Sequence, residues 1–432
     1  MNTGVIGILV IIIVLILLGS GIWVFMALIL AGLVCFAVFT HYGDPAAMAT
    51  LISWGAINNF SLAPLPLFIL MGDLLLHTGF SERLYGGLAP WLQALPGRLL
   101  HSNILACSVV AAMTASSAAC CATVGSVAIP ELEKRGYDQK LSVGSIAGGG
   151  TLGLLIPPSG GMIIYAMLTG ESLGKCFMAG IIPGLVLVLL FMMYIVVAAL
   201  RDRNVTPPAE RYDWKARVVS AGRMLPSAVI ILLVLGGMYL GWFTPTEAAA
   251  VGVASVIIVG LAFKSLTWHG FRDSLLSSVR ISCMIVLIVI GASILSTTVA
   301  YLGIPQMIAE SLEALSVSRY VILAAVCIMY LGLGCLLDGI SMMVLTLPII
   351  YPAMMRLGFD SIWFAVIITL LIEAAQITPP VGFNLYVLQG ITKRPLTYIA
   401  GASVPFLILL CIGIVIVTVF PQLATWLPST MR

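Results

Sequence analysis

Charged side chains are scarce in this sequence: Asp, Glu, Lys and Arg make up 9% of its 432 residues, with only four histidines. Soluble globular chains carry about 25% charge, so a water-exposed surface is excluded for most of the chain. Basic clusters interleaved with aromatics are missing too, and the net charge of +3 is spread thinly. Nucleic acid is therefore excluded as a partner. The nine cysteines lie almost entirely in apolar stretches, Cys120 beside Cys121, without zinc or redox spacing. They read as small packing residues. No nucleophile elbow or HExxH is present. "TGESLGKC" (Thr169 to Cys176) fails as a phosphate loop, because three residues instead of four separate Gly170 and Gly174 and Cys176 replaces the magnesium-binding hydroxyl. An ATPase is excluded, and no constellation for an enzyme or resident cofactor remains.

What is there is apolar: 61% of the chain is hydrophobic. Span-length runs recur from end to end, so helices must satisfy the backbone inside a bilayer. The first, Gly4 to Leu18, has no basic region before it and no cleavage site after it, and reads as a retained span. Spans are predicted near 3–19, 22–40, 62–80, 141–169, 176–200, 224–241, 246–263, 281–303, 361–391 and 397–420. Segments 99–130 and 320–355 are interrupted midway by "TASSAAC" and "GCLLDGIS". They read as re-entrant hairpins, since irregular backbone at depth must line a cavity or be buried in protein. The linker Arg201 to Arg223 carries six basic residues, which makes it cytoplasmic. Counting outward puts most Lys and Arg in the cytoplasm, both termini outside, and Lys175, Arg319, Arg356 and Arg432 opposite.

The halves repeat. Pro130, Gly136, Asp138, Pro157, Pro158, Gly160 and Pro183 recur as Pro352, Gly358, Asp360, Pro379, Pro380, Gly382 and Pro405, all at a shift of 222 residues. The intervening spans make the copies inverted, as in many secondary transporters. "LIPPSGG" and "ITPPVGFN" occupy equivalent places inside spans. Doubled prolines flanked by glycine unwind a helix and free its carbonyls. With Thr151 and Ser159, or Thr378 and Asn384, these breaks offer oxygens to a hard cation, and their helix amino-terminal ends suit an anion. Ser116 and Ser117 align with Asp338 and Gly339 at the two hairpin tips. Asp338 is a membrane carboxylate without an obvious basic partner, so a bound cation would complete it. Asp73 and Glu247 read as scaffold acids. Glu373, equivalent to Thr151, precedes the second break and is a candidate to tune an ion or substrate site.

"GGGTLGLLIPPSGGMIIYAMLTGESLGKCFMAGIIPG", "LLDGISMMVLTLPIIYPAMMRLGFDSIWFAVI" and "QITPPVGFNLYV" resemble the large membrane subunit of tripartite ATP-independent periplasmic (TRAP) transporters, over nearly the whole chain. The resemblance implies an all-α polytopic protein of the bacterial inner membrane, with inverted repeats, two re-entrant hairpins and two broken helices. It implies a sodium-driven, elevator-type importer of an organic acid such as a dicarboxylate, sialic acid or other sugar acid. The implied partners are a small four-helix membrane subunit and a periplasmic substrate-binding protein. Scaffold helices would fill 1–98 and 224–319, hairpin and broken helix 99–200 and 320–432, with 201–223 as cytoplasmic linker. Carried over, sodium falls to Ser116, Ser117, Gly153 and Pro157, and to Asp338, Gly339, Thr378, Pro379 and Gly382, and the substrate carboxylate to Ser159 and Asn384. The tip departs from the family at Cys120 and Cys121. An ion antiporter using Asp338 and Glu373, or a channel with two half-membrane hairpins, is the alternative.

Overall fold

The computed structural model describes residues 3–40, 43–208, 212–314, 317–334, 337–380 and 382–431, so Arg211, Cys335 and Arg432 of the sequence reading lie outside it. The described residues form helices and no strand. The first copy of the repeat runs α1 (Thr3–Gly19), α2 (Val24–Phe39), α3 (Pro45–Ile57), α4 (Pro64–His77), α5 (Phe80–Leu92), α6 (Leu99–Thr114), α7 (Ser117–Lys134), α8 (Gln139–Gly150), α9 (Gly160–Thr169) and α10 (Leu173–Arg201). In the second copy, α11 (Trp214–Ile231) continues through a π turn into α12 (Gly237–Tyr239), followed by α13 (Pro245–Ala262), α14 (Trp268–Tyr301) and α15 (Ile304–Ala314). Then come α16 (Arg319–Leu333), α17 (Gly339–Arg356), α18 (Ser361–Gln376), α19 (Phe383–Thr392), α20 (Leu396–Val419) and α21 (Gln422–Ser429). Seven helical stretches among the described residues are long and apolar enough to cross a membrane.

The 222-residue shift carries α7 onto α17 end for end, and the starts of α2, α5, α6, α8, α9 and α10 onto their mates within two residues. The repeat thus reaches well before the proline landmarks. Its one large departure has a local cause. Pro64 and Pro66, after Asn58 and Asn59, separate α3 from α4, whereas the corresponding stretch of the second copy has no proline and runs on as the 34-residue α14. Packing is reciprocal: α4 meets α13 as α14 meets α2, α7 meets α19 as α17 meets α9, and α8 meets α20 as α18 meets α10. Contacts that exchange under the shift relate the two copies by an approximate twofold.

Four helices depart from the predicted spans. α3, α5, α15 and α21, 8 to 13 residues long, fall outside the predicted spans. α5 buries Phe80, Leu84, Tyr85, Leu88 and Leu92 along one face and leaves Glu82 outside, a helical stripe instead of an apolar run. α11 begins at Trp214, inside the predicted linker, and α14 begins thirteen residues before the predicted 281.

Burial in this bundle does not follow hydrophobicity. α1 exposes Val5, Ile8, Ile11, Ile12, Leu15 and Ile16, whereas α8 is buried at every residue from Leu141 to Gly150 and α18 from Trp363 to Gln376. Where lipid is as apolar as the core, small residues decide which helices approach. A Cβ on Gly148 would lie 2.7 Å from Cγ of Phe406, which fixes how closely α8 meets α20. Polar side chains lock the contact further: Tyr85 donates to Asn103 Oδ1 (3.1 Å), and Asn103 donates to Ser145 (2.8 Å), tying α5 to α6 and α8. The Trp363 indole donates to the Val417 carbonyl (2.9 Å), joining α18 to α20.

Candidate functional site

Each hairpin turns at a tip whose polar residue starts the next helix. In the first, Ala115 takes a left-handed conformation (φ 52°), and Ser116 caps α7 by accepting from the Ala119 N–H. In the second, Asp338 caps α17 by accepting from the Ser341 N–H at 3.3 Å. Ser and Asp are both strong caps, so the 222 shift conserves the capping role while changing its charge. Asp138 and Asp360 cap α8 and α18 in the same paired way.

Each tip lies against the interrupted helix of its own copy. Between α8 and α9 the chain tightens into a 3-10 turn, Thr151–Leu154, passes the buried Pro157 and Pro158, and resumes at Gly160. A Cβ on Gly153 would sit 2.7 Å from both N and Cα of Ser117, so only glycine admits the tip there. The Gly160 N–H donates to the Ala115 carbonyl (3.3 Å), and Ser159, wholly buried, caps α9 while donating to the Leu154 carbonyl. Between α18 and α19, Thr378 donates its hydroxyl to the Ala374 carbonyl (2.7 Å) and accepts at its carbonyl from the Gly382 N–H (3.0 Å). Pro379 and Pro380 are exposed, unlike their mates. A Cβ on Gly339 would lie 2.8 Å from Gln376 Nε2, and one on Gly382 would strike the Gln376 backbone. Gln376 is thus where the second tip and the second break converge.

The two copies also join directly. Glu373 of α18, with no exposed surface, accepts at Oε1 from the Ser117 hydroxyl (2.5 Å) and from the Leu154 N–H (2.6 Å). Its second oxygen is buried without a partner. Further buried polar atoms without partners gather near the second break: Ser341 Oγ, Gln376 Oε1 and both amide atoms of Asn384.

A cavity of about 450 Å³ separates the tips from α2, α4 and α14. Ser116, Ser117, Asp338, Gly339, Ser341 and Gln376 supply its polar wall, and Asp73 faces them from α4. The opposite wall is largely apolar, with Phe25, Leu65 and Ile69 joined by Met284, Ile285 and Ile288 of α14. Among the described residues no Lys, Arg or His lines it.

Ser116, Ser117, Asp338 and Gly339 therefore share one cavity. Gly153 lies directly behind the first tip, and Gly382 packs on Gln376, which also meets Gly339 of the second; Pro157, Thr378 and Pro379 lie in the breaks, outside the cavity lining. Ser159 and Asn384 are wholly buried and do not line it either; the Ser159 hydroxyl is taken up by its cap and by Leu154. Of the two acids read as scaffold residues, Glu247 completes a capping box with Thr244, whereas Asp73 faces the cavity. Ser341 closes the "GCLLDGIS" stretch of the second tip but has no role in the sequence reading, and nothing marks Gln376 short of knowing which face of its helix meets the cavity. Glu373 did carry a signal, an acid one turn before a break, but its partners lie 219 and 256 residues away.

The family model described as tripartite ATP-independent periplasmic transporter, DctM component, matches residues 9–423. The chain is 34% identical to the C4-dicarboxylate TRAP transporter large permease protein DctM of Pseudomonas aeruginosa, over 86% of this chain and 87% of that one. It is 30% identical to the sialic acid TRAP transporter large permease protein SiaM of Vibrio cholerae, over 87% and 88%. Among solved structures, the YdaH transporter of Alcanivorax borkumensis matches with a TM-score of 0.63 over 89% of each chain, at 14% identity, a likeness of fold alone.

Proposed function

Because this chain belongs to the DctM component family of tripartite ATP-independent periplasmic transporters, and is a multi-pass membrane permease and not an enzyme, we propose that it imports an organic acid together with sodium. A small membrane subunit and a periplasmic binding protein are its partners. The observation that carries the reading is the convergence of both hairpin tips on one cavity, Ser116 and Ser117 from one copy facing Asp338 and Gly339 from the other. Sodium sits behind each tip, against Gly153 and Pro157 in the first copy and against Thr378, Pro379 and Gly382 in the second. The substrate occupies the cavity, where Ser116, Ser341 and Gln376 offer hydrogen bonds to a carboxylate. With no basic residue in the lining, the bound cations and the helix amino-terminal ends at the tips supply the positive potential.

The cavity also has a side. Met284 and Ile285 follow Arg272 and Arg280 along α14, and Asp73 lies near the end of α4 that leads to Arg83. These are the ends read as cytoplasmic, with both termini periplasmic and the repeats inverted, so the arrangement is inward-facing. Hairpins and interrupted helices form the moving body, and α2, α4, α13 and α14 the scaffold of an elevator. A channel would need neither a binding protein nor saturable uptake, and an antiporter would saturate but would need no binding protein.

The test is reconstitution of the chain with its small subunit in liposomes, measuring uptake of labelled dicarboxylates and sialic acid. Uptake is expected to require both an inward sodium gradient and the binding protein. Gradient-driven flux without the binding protein would instead support an ordinary ion-coupled carrier.

A further inference from the structure

Glu373 is the one wholly buried carboxylate among the described residues, and the sodium assignment above does not use it. It sits at the first tip but belongs to the second copy. Both hydrogen bonds it accepts fall on Oε1, from Ser117 and Leu154, leaving Oε2 enclosed and without a partner. No Lys, Arg or His is paired with it among the described residues. A carboxylate oxygen left bare in a dry membrane core is expensive, and such groups persist where they meet a partner the protein alone does not supply.

The surroundings narrow the partner. The donors turned toward it are oxygens: the Glu373 carboxylate, the Ser117 hydroxyl and the unwound backbone around Gly153, which approaches Ser117 more closely than any side chain would permit, while the nearby Cys120 and Cys121 thiols donate instead to the Cys107 and Ile146 carbonyls. Hard cations take such ligands, and softer transition metals prefer nitrogen and sulfur. No group of three His, Cys, Asp or Glu side chains among the described residues is placed to hold a metal ion by itself. One carboxylate neutralises one charge, whereas a divalent ion would leave an excess charge in the core.

The repeat sharpens this. Thr151, the mate of Glu373, bonds the Gly148 carbonyl of its own helix (2.6 Å) and contributes no charge to the second tip. That tip carries Asp338 where the first carries Ser116. Each tip therefore has one carboxylate, and both carboxylates come from the second copy.

We propose that Glu373 is the charged ligand of a sodium site at the first tip, built jointly by both copies from Glu373, Ser117 and the Gly153–Leu154 backbone. The proposal rests on the sodium-coupled reading and deepens it. Sodium held there ties the first tip to α18, so occupancy at one tip is sensed by the helix that ends at Gln376 beside the other.

The experiment counts sodium on the purified complex with its small subunit, using radiolabelled sodium at equilibrium, for wild type, Glu373→Gln and Glu373→Thr. The threonine variant installs the residue type of the first copy and guards against a folding failure of the amide. Either variant should bind one ion fewer than wild type, or bind that ion at least about tenfold more weakly, while still assembling with the small subunit. A readout on the unmutated protein removes dependence on folding: with 13C-labelled glutamate, adding sodium should shift a carboxylate infrared band. Wild-type ion count and affinity in a folded variant, or an unmoved glutamate band while wild type binds sodium, would overturn the role of Glu373 and leave the sodium reading standing. No sodium binding by wild type would overturn that reading itself.

Discussion

Gly153→Ala tests whether the first tip rests on the first break. A Cβ there would lie 2.7 Å from N and Cα of Ser117 and 2.8 Å from the Ser116 carbonyl carbon, against ordinary contacts of 3.4–4 Å. Every one of those neighbours is backbone, so no rotamer change relieves the overlap of about 0.7 Å, and tip and break must part. The break is anchored against α6, α8 and α18, whereas the tip borders the cavity, so the tip is the part that yields. Overpacking of this kind costs about 1–3 kcal/mol. If sodium binding requires the tip to close again, that cost appears as a loss of apparent sodium affinity of roughly 5- to 150-fold, at about 1.4 kcal/mol per factor of ten. The assay is a sodium titration of binding-protein-dependent uptake, with thermal unfolding in the absence of sodium as the fold check. Gly222→Ala, where a Cβ meets nothing within 4 Å, is the matched control. A wild-type sodium curve in folded Gly153→Ala would refute the tip-on-break reasoning.

Asp338 has two separable roles, cap and charge. Asn caps nearly as well as Asp, and Ala costs about 1 kcal/mol, so Asp338→Asn should keep wild-type thermal stability while Asp338→Ala lowers it. Both should weaken apparent sodium affinity by about 10- to 100-fold, the value of a charged contact of about 1.5–3 kcal/mol; an unchanged sodium curve in Asp338→Asn would reduce the residue to a cap. The facing of the cavity is checked by Met284→Cys in a background where the exposed Cys283 is serine. A membrane-impermeant thiol reagent should modify it from the cytoplasmic side and not from the periplasmic side, and the reverse pattern would contradict the inward-facing assignment.

The sequence by itself determined the class of solution. With so little charge and so many apolar runs, a bilayer leaves the backbone only helices, and doubled prolines at equivalent places in two copies can only be breaks. These are local constraints: the hydrogen-bonding demand of each segment, the missing N–H of proline, the fixed shift between landmarks. The tips were legible for the same reason, since small polar residues inside an apolar stretch mark a turn wherever the rest of the chain goes. Legibility ended where residues from distant segments meet. α18 is less hydrophobic than α1, yet α18 is enclosed from Trp363 to Gln376 while α1 exposes many of its apolar side chains, because in lipid the apolar pattern no longer distinguishes core from surface and close packing by residues such as Gly148 decides. α5 escaped a search for span-length runs because its signal is one apolar face on a short helix. Ser159, whose hydroxyl is consumed by a cap, and Asp73, which faces the cavity, could not be told apart from the chain alone. The bond from Ser117 to Glu373 belongs wholly to the tertiary structure: two residues 256 apart become partners only because the copies pack reciprocally, each placing one element at the other's centre.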